Sequence, residues 1–314
     1  MKKKKNINEQ IIFIYIKMLC CLSPNSQVRD EEDIQSENIS NNIKKIKNEL
    51  FKTRKNNYIG FGVSSNVFKV QVTKNKHITC KVIKEGWEES AEREIKLLKI
   101  ISNLNNEKFP KFFCSFKQNL NDVICYDYIQ GVDLFSYISE TSKISIFYNN
   151  ENLIIETMLQ ILYGLESLLT LNLVHLDVKP ENIIIQSTNP VKINIIDLNF
   201  CRNYKDKIID KVLGTFGYIS PEMLFYKKIY YNTDIWSIGV IIFLLYTNAF
   251  IFNIEEDKYA TNISTSNKVL LILNKYLNKV PKNIGIIVER CLVYNTNNRI
   301  SVVGLISLIK NIYH

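Results

Sequence analysis

Hydrophobic and polar positions alternate in short runs after residue 51. The β-branched runs Asn66–Val72 and Ile78–Ile83, separated by the turn-like Thr73–Lys76, predict two antiparallel strands. The period then changes. From about Glu88 to Ile101, Ile95, Leu98 and Ile101 recur at three- and four-residue steps, which predicts a helix with one apolar face. Strand character returns at Val123–Tyr128. Farther on, Ile183–Ile185 and the run ending at Ile195-Ile196 predict two more apolar strands. An apolar helix opens at Asp234, and a last helix follows Asn298-Arg299-Ile300-Ser301. Asn253–Lys268 is polar and poorly patterned, which predicts irregular helices. Pro24–Asn42 is acidic and unpatterned and reads as a flexible linker.

Composition narrows the class. With 46% hydrophobic and 23% charged residues over 314, the chain is globular, long enough for two modest lobes, and neither collagen-like nor disordered. The formal charge of +9 comes from lysines scattered along the chain, apart from Lys2–Lys5. No basic stripe interleaved with aromatics stands out, so a solvated surface is expected and no nucleic-acid partner. The seven cysteines are odd in number and, Cys20 and Cys21 excepted, far apart. That pattern is neither a disulfide framework nor a zinc spacing. It fits a reducing, cytoplasmic compartment with most thiols serving as small core hydrophobes.

Residues 1–50 are expected to be a mostly disordered extension. Lys2–Lys5 before the apolar stretch Ile11–Leu22 imitate a secretory signal, but Lys17 interrupts the stretch and no A-x-A-like site follows. The stretch is too short to span a bilayer. Translation from Met18 would instead open Met-Leu-Cys-Cys, which resembles the start of neuromodulin, whose paired cysteines are palmitoylated. Acyl chains on Cys20 and Cys21 would give stable attachment to a membrane surface. Disordered tail, acylated anchor and signal peptide all stay open for this segment.

Candidate chemistry starts with Gly60-Phe61-Gly62-Val63-Ser64-Ser65, where two glycines let backbone amides approach phosphate oxygens. Alone, this is an ordinary hairpin turn. Lys81 follows on the next strand, and Glu94 on the helix can point back toward it. In the second half, His175-Leu176-Asp177-Val178-Lys179-Pro180-Glu181-Asn182 gathers an Asp, a Lys and an Asn in one loop ahead of an apolar strand. Asp197-Leu198-Asn199 ends another strand. Gly214-Thr215 through Ser220-Pro221-Glu222, Asp234-Ile235-Trp236-Ser237-Ile238-Gly239 and Asn298-Arg299 complete the series.

In this order and spacing the segments resemble the eukaryotic protein kinase family, serine/threonine branch, over about Thr53 to His314. The resemblance implies an α+β, bilobal fold. A small antiparallel N-lobe with one helix (about 51–126) would sit on a larger, mainly helical C-lobe (about 130–314), with ATP in the cleft between them. It implies that Asp177 receives the proton of a substrate Ser or Thr hydroxyl, and that Lys179 neutralises the γ-phosphate. Lys81, steadied by Glu94, would grip the α- and β-phosphates, and Asn182 and Asp197 would hold magnesium. Nucleotide contacts carry over to Ile59, Gly60, Gly62, Ser65, Val67, Cys80, Lys81, Asp127, Ile129, Asp133 and Ile184. Tyr126 falls at the gatekeeper place, and Glu222 with Arg299 matches a structural pair. Lys179, two residues after Asp177, and Thr215 mark the serine/threonine branch. A monomer acting on protein substrates is expected. Asp133 and Glu181 would favour basic residues before the acceptor, although Leu244 stands where a third acidic side chain is often found.

Three positions depart from the family pattern. Leu176 replaces the Arg that usually binds a phosphate on the activation segment, and Leu198–Leu213 holds no Ser or Thr, only Tyr204. Activity independent of phosphorylation there is expected. Leu198-Asn199 replaces Phe-Gly; Asn is the next-best residue after glycine for left-handed backbone, and a motif locked more firmly in its Asp-in state is expected. Ser65 stands at the third glycine place, a small change. Two rival classes remain, a pseudokinase scaffold and a small-molecule phosphotransferase of the aminoglycoside type. Against the first stand Lys81, Asp177, Asn182 and Asp197, all present. Against the second stand Gly214–Glu222 and Asp234–Gly239, which serve protein substrates. No calcium-binding or regulatory domain is expected after Ile300.

Overall fold

A computed structural model describes residues 41–50, 58–104, 106–139 and 146–313. The N-lobe is a five-stranded antiparallel sheet of β1 (Tyr58–Phe61), β2 (Ser65–Thr73), β3 (Lys76–Ile83), β4 (Phe112–Gln118) and β5 (Asn121–Asp127), in the order β1-β2-β3-β5-β4. Strand alternation gives it two faces. Val70, Val72, Ile78, Cys80, Val123 and Cys125 are buried on the outer face, whereas Ile83, Ile124 and Tyr126 join the large core that runs into the C-lobe.

A sheet apolar on both faces needs two covers. Residues 41–50, which the sequence reading placed in the extension before the domain, are helical (α1) and cover the outer face through buried Ile46 and Leu50. Lys45 Nζ donates to the Val72 carbonyl, and Lys47 lies 5.2 Å from the Phe116 ring centre. The inner face meets α2 (Glu88–Asn103), whose buried stripe is Ala91, Glu94, Leu97, Leu98 and Ile101. One acid thus stands inside an apolar stripe.

The C-lobe opens with β6 (Val132–Asp133) and α3 (Leu134–Ser139), followed by α4 (Glu151–Thr170). Asn150 caps α4 by accepting from the Leu153 amide. By length and composition α4 could cross a membrane, but most of it is buried in the fold against β9, α6 and α10. Next come β7 (Leu173–Val174), β8 (Ile183–Thr188), β9 (Val191–Ile195) and β10 (Arg202–Asn203), then α5 (Pro221–Tyr226) and α6 (Thr233–Thr247). The chain ends in α7 (Glu256–Asn262), α8 (Ser266–Tyr276), α9 (Lys282–Cys291) and α10 (Val302–Tyr313). α7 and α8 are ordinary helices across most of the stretch expected to be irregular. Thr265 caps α8 by accepting from Lys268, and buried Tyr259, Val269 and Leu273 anchor the pair to the core. The five described cysteines are free and buried, as expected of core thiols. Met18, Cys20 and Cys21 lie outside the described residues.

Candidate active site

The lobes meet at a cleft of about 680 Å3. It is lined by Ile59, Gly60, Gly62, Ser65, Val67 and Lys81 from the N-lobe sheet, and by Ile129, Asp133, Lys179, Asn182, Ile184 and Asp197 from the connection and the C-lobe. All twelve are residues the sequence reading named. The volume falls within the range of small-molecule sites.

Two expected nucleotide contacts lie elsewhere. Cys80 is fully buried on the outer face of the sheet, its sulfur 3.4 Å from that of Cys125, and Thr79 lines the cleft in its place. The reason is the pleat. Residues on one face of a strand alternate, so Thr79 shares a side with Lys81 and Cys80 cannot. Period-two counting back from Lys81 would have found Thr79. Asp127 is not in the lining either, and its amide donates to the Lys111 carbonyl at 2.9 Å. Its neighbours Tyr126 and Tyr128 do line the cleft.

Lys81 is the electrostatic centre. Its Nζ donates to both Glu94 oxygens at 2.9 Å and to Asp197 Oδ1 at 2.7 Å. Burial alone would push the ammonium toward its neutral form, but the Asp197 and Glu94 carboxylates outweigh it and hold Lys81 charged. Burial pushes the Glu94 carboxyl up, only partly countered by Lys81. Burial would also raise Asp197, yet the Lys81 charge and hydrogen bond prevail and hold it below the ordinary aspartate value. Asp197 is the more open of the two acids, its side chain 39% exposed toward the cleft.

The loop from His175 to Asn182 is built around Asp177. Its Oδ1 accepts from Thr215 Oγ1 at 2.7 Å, and its Oδ2 accepts from Asn182 Nδ2 at 3.2 Å and lies 3.1 Å from Lys179 Nζ. Lys179 also donates to Thr215 Oγ1 at 2.8 Å. The backbone is anchored from beneath, since the His175 and Leu176 amides donate to the Asp234 carboxylate at 2.7 and 2.8 Å. Leu176 takes φ +67°, and its carbonyl would lie 2.8 Å from a Cβ on Gly214, itself at φ +113°. Only glycine fits there. Below, Arg299 grips Glu222 through two bonds of 2.6 and 2.8 Å in a fully buried pair.

Asn199 departs from expectation. The left-handed residue of this segment is Asp197, at φ +62°, whereas Asn199 is not among the residues with positive φ. Leu198 is buried in the large core cluster to which Leu98 also belongs, and Phe112 packs against that cluster. For magnesium the donor set is suitable. Asn182 commits its nitrogen to the Asp177 carbonyl and carboxylate, which leaves its amide oxygen for the cleft that Asp197 also lines, and oxygens of these two kinds suit a hard cation.

A two-lobed fold that sets a paired lysine and the Asp197 carboxylate on one cleft, with a clamped loop aspartate bonded to two of its lining residues, defines a phosphotransferase of the protein kinase class, with the lysine and threonine of its serine/threonine branch. Residues 53–309 match the protein kinase domain, and the chain belongs to that family. It is 28% identical over 218 residues, 68% of this chain and 55% of the relative, to human myosin light chain kinase family member 4. It is 34% identical over 149 residues, 47% of this chain and 8% of the relative, to the smooth-muscle myosin light chain kinase of Gallus gallus. A titin homolog of Caenorhabditis elegans is 30% identical over 178 residues, 56% of this chain and 1% of that protein. The chain thus spans about half of the first relative and much smaller parts of the other two.

Proposed function

We propose that this protein transfers the γ-phosphate of ATP to Ser or Thr hydroxyls of proteins, and does so without phosphorylation of its activation segment. The observation that carries the reading is the fixing of Asp177 from three sides, by Thr215, Lys179 and Asn182. A carboxylate so held can receive a hydroxyl proton as the bond to phosphorus forms, while Lys179 offsets charge on the transferred group. Lys81 positions the phosphates it faces, and Glu94 holds Lys81. Asn182 and Asp197 would bind magnesium, which supplies charge neutralisation at the phosphates. Val67, Thr79 and Ile184 line the slot for the base.

Independence from activation-segment phosphate is supported at Leu176. That side chain is buried in the same core cluster as Leu213, where the family's Arg would reach outward for a phosphate. Asp133 and Glu181, both at the cleft, favour basic residues ahead of the acceptor. Asp133 also accepts from the Ser136 amide and hydroxyl at 2.9 and 2.6 Å, so Glu181 is the freer of the two. Attachment to membranes through acylated Cys20 and Cys21 belongs to the same reading, and loss of membrane-bound protein in a Cys20→Ser, Cys21→Ser double variant tests it.

The central experiment measures magnesium- and ATP-dependent transfer to a basic protein by phosphatase-treated wild type and Asp177→Asn. Transfer to Ser or Thr that falls at least about 100-fold in the variant is expected. Nucleotide binding without transfer in the wild type would refute the enzyme and favour the scaffold.

A further inference from the structure

Asn199 stands where the family has glycine, and its side chain is not idle. It is 6% exposed and reaches two elements of the N-lobe at once. Ser90 Oγ, on the first turn of α2, donates to Asn199 Oδ1. Asn199 Nδ2 in turn donates to Ser64 Oγ in the glycine-rich loop at 3.5 Å. Its backbone closes the connection, with the amide toward Asp197 Oδ1 at 3.4 Å and the carbonyl accepting from Arg202 Nη1 at 3.1 Å.

The placement of Ser90 gives this contact leverage. Ser90 precedes Glu94 by four residues, one turn on the same side of α2, so holding Ser90 fixes where Glu94 presents its carboxylate. The loop end is held independently. Ser64 accepts from the Lys84 amide at 2.8 Å, and Lys84 Nζ donates to the Gly62 carbonyl at 2.6 Å while lying 3.9 Å from the Phe61 ring centre. Glycine at 199 could make neither side-chain bond, and Asn takes the place without a left-handed backbone penalty.

We infer that Asn199 is a positioning residue, tying α2 and the glycine-rich loop to the segment that carries Asp197 so that Lys81, Glu94 and Asp197 stay assembled without activation-segment phosphate. The inference rests on the kinase reading for its kinetic consequence but not for its structural one. One hydrogen bond between partly buried neutral groups contributes enough to change a conformational equilibrium by about 3- to 10-fold.

The test uses the phosphatase-treated full chain with Ser90→Ala, Asn199→Gly, the double variant and Ser90→Thr. Steady-state kinetics are paired with amide hydrogen exchange over Glu88–Asn103. Ser90→Ala should lower kcat about 3- to 10-fold with KM for ATP unchanged, because only the tie to α2 is cut. Asn199→Gly should lower kcat as much and also raise KM for ATP, because the loop is released too. The double variant should lose no more kcat than Asn199→Gly, Ser90→Thr should restore wild-type kcat, and exchange in α2 should quicken in the first three proteins only. Unchanged α2 exchange and kcat in both Ser90→Ala and Asn199→Gly overturns the inference, as does additive loss in the double variant. Should Asn199→Gly fail to fold, Ser90→Ala and its threonine rescue decide alone. Should the wild type transfer no phosphate, the exchange measurement still decides, since it reads the tie without catalysis.

Discussion

Replacing Ile46 with Ala tests whether α1 is part of the folded N-lobe. Ile46 is fully buried over the outer face of the sheet, in a small cluster with Val70, Val72, Ile78, Cys80, Val123 and Cys125. The substitution deletes three buried carbon groups, which at about 0.8 kcal/mol each amounts to about 2.4 kcal/mol before any cavity cost. The cluster is bounded by sheet backbone and cannot collapse far, so a residual cavity should raise the total to about 3 kcal/mol, inside the usual range for Ile→Ala. For a domain of this size that corresponds to a fall in Tm of about 6 °C. Differential scanning fluorimetry on the full chain reads it, with Lys44→Ala on the exposed side of the same helix as a control expected near zero. Cys80 adjoins Lys81 on β3, so KM for ATP should rise along with the loss of stability. A shift below about 2 °C, equal to the control, would refute the packing argument and detach α1 from the domain.

Other predictions follow from the buried charges. Arg299→Met leaves Glu222 buried and unpaired and should cost about 3–5 kcal/mol by chemical denaturation, whereas adding Glu222→Gln should recover part of it. A double variant no more stable than Arg299→Met would show that the guanidinium acts through packing on Trp236, whose ring it faces at 5.4 Å, and not through charge. Acidity should separate Glu94 from Asp197. Glu94 is held above its ordinary value of 4.5 by burial, so it is protonated first as pH falls, and the Lys81 pair weakens while Asp197 remains anionic. Because folded Glu94 binds its proton more readily than the unfolded chain does, this step does not itself unfold the protein. Asp197 works the other way. Its contribution to stability is complete above its ordinary value of 3.8 and disappears only at still lower pH. An acid limb in kcat/KM above the usual glutamate range, with circular dichroism unchanged and the limb missing in Glu94→Gln, is the expected result. A limb that persists in that variant assigns the titration to another group.

Much of the site was legible because the chemistry sits at fixed places in local patterns. Asp177, Lys179 and Asn182 share one loop, and the resemblance to the kinase family adds Asp197, just past the end of a strand, to the same group. The failures are equally local in origin. Choosing Cys80 over Thr79 ignored the two-residue repeat that sends adjacent side chains to opposite faces. Residues 41–50 escaped notice because two anchoring side chains, Ile46 and Leu50, are too few to set a helical period amid lysines and asparagines. Their burial depends on an outer sheet face that only tertiary structure displays. Asn253–Lys268 looked irregular for the same reason, since α7 and α8 rest on a few buried residues, Tyr259, Val269 and Leu273, and on the Thr265 cap. The Asn199 backbone was misjudged because glycine in a family position suggests positive φ, whereas the residue that needs it here is Asp197.

Two of the three departures from the family pattern, Leu176 and Asn199, act on neighbouring parts of one assembly, which gives them a common physical logic. An Arg at 176 would be free to leave the core for a phosphate, and its interaction energy would depend on modification. On the proposed reading, burial of Leu176 would remove that dependence, while its amide donates to Asp234 and its carbonyl packs on Gly214. The catalytic loop therefore keeps its backbone frame with no charged partner at 176. The inward position of α2 carries a cost of its own, because Glu94 must leave water to meet Lys81, and burial works against its charge. Asn199 supplies a local restraint on that helix through Ser90, from the segment that holds Asp197. The substitutions should therefore be coupled. Restoring Arg at 176 alone should leave basal transfer low or unchanged, because an unpartnered guanidinium replaces a buried leucine. Combining Leu176→Arg with Asn199→Gly should lower transfer further by the about 3- to 10-fold assigned to the Ser90 bond. Transfer equal to that of Leu176→Arg alone would show that Asn199 restrains nothing that catalysis requires.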